Sequence, residues 1–270
     1  MKKRTVTGVF ITLAVYLIVA FSHIPAVLYS ATGLLCIFAV YEIYHAAGLF
    51  HDHRLLLISV AAAAGITVCP FQHYGAICGV LLPVSVFLFG WMMARQKNIA
   101  IDRPWKTMIL ALLVVLQYRA IPELRGLSNG LAYLFGAITL CFVTDVAAYF
   151  IGSRFGKYKL IPSVSPNKTV EGSLAGIAGA VLLMVLLGFL LGSVWGIGTD
   201  YVLLTVYAVL ASIVGQFGDL AMSIVKRICG IKDFSDLFPG HGGMLDRFDS
   251  HLFCIPFTLL FVLATGGFFH

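Results

Sequence analysis

The sequence predicts an all-α polytopic integral membrane protein with about nine transmembrane helices, and three observations carry that prediction. Hydrophobic residues make up 60% of the 270 and charged residues only 11%, whereas a soluble domain carries roughly 25% charge. The mean hydropathy is +0.97. The apolar residues also gather into runs close to the about 20 residues that a helix needs to cross a bilayer. Such a chain cannot cover itself with polar surface, and a lipid-exposed helix satisfies its own backbone hydrogen bonds.

In order, the runs cover about 5–22, 26–46, 55–70, 74–94, 106–121, 130–151, 173–195, 201–224 and 251–269. The first follows Met1-Lys2-Lys3-Arg4 like a signal peptide, but no small-residue cleavage site stands out after it. It reads as a retained helix. The third is short and stops at Pro70. It reads as a helix of its own, with a re-entrant pair formed with the fourth run as the alternative. Two intervals exceed ordinary turns, 152–172 and 225–250. The chain thus divides into N-terminal membrane helices, 1–125, with no catalytic motif, and C-terminal membrane helices, 126–270, which carry both polar loops.

Orientation follows from Lys and Arg, which accumulate on the cytoplasmic side. With nine spans and a cytoplasmic N-terminus, the inside segments 2–4, 54, 95–106, 154–168 and 226–247 hold all of the 18 Lys and Arg except Arg119 and Arg125. This places the C-terminus outside and both long loops at the cytoplasmic face. The net charge of +6 is therefore topological, and no nucleic-acid partner is expected. The six cysteines are scattered with no CxxC pair, so no cysteine metal site is implied. Cys69 and Cys78 fall near one membrane face, but a disulfide there is not expected.

Three carboxylates sit inside spans: Glu42, Asp145 and Asp219. An Asp at the centre of a membrane helix costs about 2.5–3.5 kcal/mol on insertion scales. Each should therefore face a polar cavity or a partner. Glu42 has no motif around it and reads as a residue near the cytoplasmic end of its span. Asp219, Ser223 and Lys226 fall at i, i+4 and i+7, one helical face. A carboxylate, a hydroxyl and a cation on one stripe suit a nucleotide phosphate chain. The plainer alternative is a helix end whose Lys226 and Arg227 snorkel to the interface.

Asp246 and Asp249 share a face as the last span begins. They are either dipole caps or ligands for a hard cation such as Mg²⁺, which takes carboxylate oxygens plus substrate phosphates. In the second reading Asp246 joins Asp219 at the ion and Arg247 faces a phosphate. Pro239-Gly240-His241-Gly242-Gly243 is a loop whose glycines let amides turn toward an anion. Upstream, Ser165-Pro166-Asn167-Lys168-Thr169-Val170-Glu171-Gly172 either caps the next helix or offers Asn167 and Lys168 to the same ligand.

The run Ser223-x-Val225-Lys226-Arg227-x4-Lys232-Asp233-x-Ser235-x2-Phe238-Pro239-x-His241-Gly242-Gly243-Met244-x-Asp246-Arg247-Phe248-Asp249 resembles the signature of the phosphatidate cytidylyltransferases, the CDP-diacylglycerol synthases. The resemblance extends to Gly218-Asp219, to Ser165–Gly172 and to Asp145-x-x-Ala148-Tyr149, about the C-terminal half of the chain. It implies an integral enzyme of the cytoplasmic membrane, forming homodimers. Such an enzyme condenses CTP with phosphatidic acid to CDP-diacylglycerol and pyrophosphate, with Mg²⁺ required.

On that reading Asp219, Asp246 and Asp249 hold the metal, and Lys226, Arg227, Lys232 and Arg247 neutralise phosphates. Ser223, His241, Gly242, Gly243, Asn167, Lys168 and Asp145 bind substrate. The competing expectations are a CTP-dependent polyprenol kinase, which moves the γ-phosphoryl group, an ion-coupled transporter built on Asp145 and Asp219, and a non-catalytic scaffold. Against a transporter, the polar residues cluster on one face rather than at both or mid-membrane.

Overall fold

The computed structural model describes residues 2–49, 53–68, 73–95, 104–238, 240 and 242–270. Among these residues, ten helices and one hairpin follow in the order α1 Lys2–Ala20, α2 Pro25–Ala46, α3 His53–Val68, α4 Tyr74–Arg95, α5 Pro104–Tyr118, α6 Ala120–Gly126, α7 Gly130–Phe155, β1 Lys159–Ile161, β2 Ser165–Thr169, α8 Val170–Trp195, α9 Tyr201–Ile228 and α10 Leu245–Thr265. Helices α1–α5 and α7–α9 begin within three residues of an apolar run, whereas α10 begins at Leu245, six residues before the run at 251. Pro25 opens α2, where its missing N–H is no loss.

Among the described residues, seven helical segments are long and apolar enough to cross a membrane, with α5 and α6 counted together as Pro104–Gly126. Two further apolar helices are shorter, Thr7–Ala20 and His53–Val68. At 1.5 Å per residue the 16-residue α3 spans roughly 24 Å, short of the about 30 Å hydrocarbon core. The 28-residue α9 spans roughly 42 Å, so it outruns the hydrocarbon and ends on Lys226 and Arg227.

Two details differ from an all-α reading of the sequence. The interval 152–172 holds a two-stranded antiparallel hairpin, with Lys159 opposite Thr169 and Ile161 opposite Ser165. The last helix stops at Thr265 rather than running to 269. Gly266 and Gly267, both at positive φ, then turn the chain so that His270 exchanges backbone hydrogen bonds with Gly198 at 2.9 Å.

The chain forms two compact units, Met1–Glu123 with Ile224–Asp249, and Leu124–Ser223 with Ser250–His270. In the first, α2 packs on α3 and α5. In the second, α7 and α8 pair along most of their length. That pairing depends on small residues. A Cβ at Gly172 would lie 2.7 Å from the carbonyl oxygen of Ala148, and one at Gly176 would lie 2.9 Å from that of Thr144. A small-xxx-small spacing lets two apolar helices approach backbone to backbone, and here it brings the hairpin's end against α7.

Candidate active site

In the second unit the hairpin sets the geometry. Thr169 ends β2 and caps α8, its hydroxyl oxygen accepting from the Gly172 N–H at 3.1 Å. Glu171 accepts from the Tyr158 N–H, at 3.2 and 3.3 Å to its two oxygens. The Ser165–Gly172 motif therefore does cap the helix, and in doing so it presents Lys168. Lys168 forms an ion pair with Asp219 of α9. One turn along α9, the Ser223 hydroxyl donates to Asp219 Oδ1 at 3.3 Å. Asp145 of α7 accepts from the Ser250 hydroxyl at 3.4 Å.

Asp145, Lys168 and Asp219 share a cavity of about 500 Å³, lined also by Lys159, Asn167 and Gln216. That volume falls within the roughly 300–1,000 Å³ of small-ligand sites. Asp145 and Asp219 thus face one polar space, which is how a membrane helix tolerates them. Lys159 and Gln216 join the site without having been singled out in the sequence. Gln216 lies three residues before Asp219, nearly one helical turn, and its amide donates to the Ser173 carbonyl and the Ser212 hydroxyl, both at 3.3 Å.

In the first unit the signature loop is organised by Asp246. Its Oδ1 receives Lys226 Nζ at 2.7 Å, and the two side chains are only 2% and 10% exposed. Its Oδ2 receives the Phe234 and Gly243 N–H groups, each at 2.8 Å. The Lys226 ammonium also lies 5.5 Å from the centre of the Phe234 ring. Gly240 and Gly242 adopt φ of 76° and 78°, and a short bridge joins Phe238 to Gly242. The Gly243 amide thus serves Asp246, and the glycines allow the backbone to close around that carboxylate. A Cβ at Gly242 would lie 2.7 Å from Asp246 Oδ2.

Asp249 is buried. Arg227, Lys232 and Arg247 are exposed, and Arg227 donates to the Ile231 carbonyl at 3.1 Å. His241 lies outside the described residues. The loop also rests on Glu42 of α2, which accepts from Ser235, Met244 and Leu245. The only sequence signal for Glu42 was a carboxylate inside an apolar run. Cys78 is buried and in no disulfide, and Cys69 lies outside the described residues.

Among the described residues, no group of three or more His, Cys, Asp or Glu side chains is arranged to hold a metal ion. Two carboxylates, however, line the cavity of the second unit. Mg²⁺ is commonly held by one or two carboxylates with substrate phosphates and waters completing its shell. Asp145 and Asp219, with the amide oxygens of Asn167 and Gln216 nearby, are a donor set of that kind. Asp246 already accepts from one ammonium and two amides, so a metal there would compete with those donors.

The whole chain can be compared with known proteins. Residues 2–265 match the cytidylyltransferase family. The chain belongs to that family. A phosphatidate cytidylyltransferase of Bacillus subtilis (strain 168) is 31% identical over 277 residues, covering 98% of each chain. One of Staphylococcus haemolyticus (strain JCSC1435) is 30% identical over 95% of this chain and 96% of its own. One of Staphylococcus saprophyticus is 41% identical over 133 residues, about half of each. The similarity of this cytidylyltransferase to its relatives thus runs through the N-terminal helices, where the sequence signature did not reach.

Proposed function

We propose that this chain transfers the cytidylyl group of CTP to phosphatidic acid, releasing pyrophosphate and forming CDP-diacylglycerol. What carries the reading is near-full-length kinship with phosphatidate cytidylyltransferases, in a chain whose buried and half-buried polar groups include cations and carboxylates suited to phosphates. A lipid phosphate oxygen attacks the α-phosphorus of CTP, its new P–O bond forming as the bond to pyrophosphate breaks. The lipid phosphate is largely ionised near neutral pH, with a second pKa of about 6, so no dedicated general base is required. Catalysis then rests on alignment and charge neutralisation.

Lys168, with Asn167 and Lys159 on the same cavity, would hold nucleotide phosphates. Ser223 would keep Asp219 oriented. Lys226, Arg227, Lys232 and Arg247 supply further positive charge. Asp145 and Asp219 would hold Mg²⁺, which when bound neutralises phosphate charge. The same reading includes nine spans, a cytoplasmic N-terminus and loops facing the cytoplasm of a bacterial inner membrane, supported by the Lys and Arg asymmetry. The homodimer is supported by the family resemblance alone.

The test is transfer of label. Purified protein with phosphatidic acid and Mg²⁺ should place ³²P from α-labelled CTP in the lipid. No lipid label should come from γ-labelled CTP. Lipid labelled only from γ-labelled CTP would instead identify a CTP-dependent lipid kinase, and no product from either would refute the reading. For topology, a cysteine at Lys157 should react with an impermeant thiol reagent only in inverted vesicles, and one at Ser128 only in intact cells.

A further inference from the structure

The donors of the signature loop are divided between two carboxylates. At its entrance, the Phe234 N–H goes to Asp246 Oδ2 at 2.8 Å, and the Ser235 hydroxyl goes to Glu42 Oε1 at 2.6 Å. At its exit, the Gly243 N–H goes to Asp246 at 2.8 Å. The Met244 and Leu245 N–H groups go to Glu42 Oε1 and Oε2, each at 2.8 Å. The two ends of the loop, Phe234–Ser235 and Gly243–Leu245, are therefore held at a neck by two acceptors, one at the start of α10 and one on α2. Glu42 is 1% exposed, so its three donors stand in for water. Two of these donors are among the orphan amides at a helix N-terminus, where a carboxylate is favoured. The space at Gly243 is so tight that a Cβ there would lie 2.6 Å from the Glu42 carboxyl carbon.

We infer that Glu42 is a positioning residue of the transfer reaction. It closes the neck of the signature loop and so fixes where α10 begins and where the Lys226–Asp246 pair stands. This inference rests on the function proposed above. It gives the N-terminal helices a part in catalysis that no motif in them announces. Glu42 touches no reacting atom. It acts by holding Ser235, Met244 and Leu245, and Asp246 follows directly. Because misplacement of catalytic groups by about an ångström can lower rates about 100-fold, the neck's effect should fall on the chemical step.

The test compares wild type with Glu42→Gln and Ser235→Ala. The glutamine is the same size, but its –NH₂ faces a donor in place of one oxygen. Ser235→Ala removes a single hydrogen bond and leaves the carboxylate in place. Three quantities are read: kcat, KM for CTP, and amide hydrogen exchange at Met244 and Leu245 in detergent micelles. Glu42→Gln should lower kcat roughly 10- to 100-fold, change KM for CTP less than about threefold, and speed exchange at those two amides while α7 and α8 exchange as in wild type. Ser235→Ala should show the same split, more weakly.

Full kcat in Glu42→Gln, or unchanged exchange at Met244 and Leu245, would overturn the inference. So would a kcat loss in Ser235→Ala that is matched by the lost fraction of folded protein. If wild type forms no CDP-lipid at all, the proposed function fails instead, and the exchange measurement still decides whether Glu42 closes the neck.

Discussion

Replacing Asp246 with Asn should open the signature loop. The substitution keeps the shape and removes the charge. Lys226, whose side chain is 10% exposed, loses the charge of its Asp246 partner. One of the acceptors serving Lys226 and the Phe234 and Gly243 amides becomes a donor. Removing one partner of a buried ion pair destabilises by about 3–5 kcal/mol, because an uncompensated charge stays behind. At about 1.4 kcal/mol per factor of ten, that shifts the loop's opening equilibrium by roughly 10²–10⁴.

Amide exchange at Phe234 and Gly243 in micelles reads this directly and should accelerate by that factor. Lys226→Met in the same background removes the cation that Asp246 balanced. The double variant should therefore regain more than half of the lost protection, a coupling characteristic of residues in contact. Turnover should stay absent in both, since Lys226 supplies positive charge in the proposed reaction and Asp246 holds it in place. Unchanged exchange in Asp246→Asn, or simple additivity of the two substitutions, would refute the reasoning.

Other outcomes can be checked alongside. Lys168→Met should lower turnover at least roughly tenfold, while thermal stability falls by less than about 1 kcal/mol, because a pair with side chains 27% and 23% exposed is screened by water. Gly243→Ala should lose about 1–3 kcal/mol by overpacking, its methyl meeting Ser235 Oγ at 2.7 Å. The loss should appear as faster proteolysis within 230–245. Gly176→Leu should separate α7 from α8 and lower the melting temperature of the detergent-solubilised protein.

Cys229, just past the end of α9, has its thiol pushed up to about 11 by burial. The reactive thiolate is the deprotonated form, so labelling should be slow at neutral pH. In a Cys69→Ser background it should rise about tenfold per pH unit up to about pH 10. A plateau near pH 9 would contradict the burial.

Much of the fold is legible from local chemistry. Apolar runs at 26–46, 74–94, 130–151 and 173–195 become α2, α4, α7 and α8 because a segment in lipid must bond its own backbone, and that requirement depends on sequence near at hand. The energetic case against Asp145 and Asp219 on a lipid face is equally local. The hairpin at Lys159–Thr169 was not legible, since its strands have three and five residues and little apolar alternation. Lys159 and Gln216 were missed because a cavity wall leaves no spacing pattern.

The signature from Ser223 to Asp249, and the chemistry its residue types suit, could be read along the chain because it is contiguous. What required the folded chain was partnership at long range. Lys168 pairs with Asp219, and Glu42 reaches Leu245 across 203 positions. Nothing in the residues around Glu42 marks it, because its donors are backbone amides, which every residue but proline carries. Which amides a buried carboxylate meets is set by how α2 packs in three dimensions, and no local pattern records that.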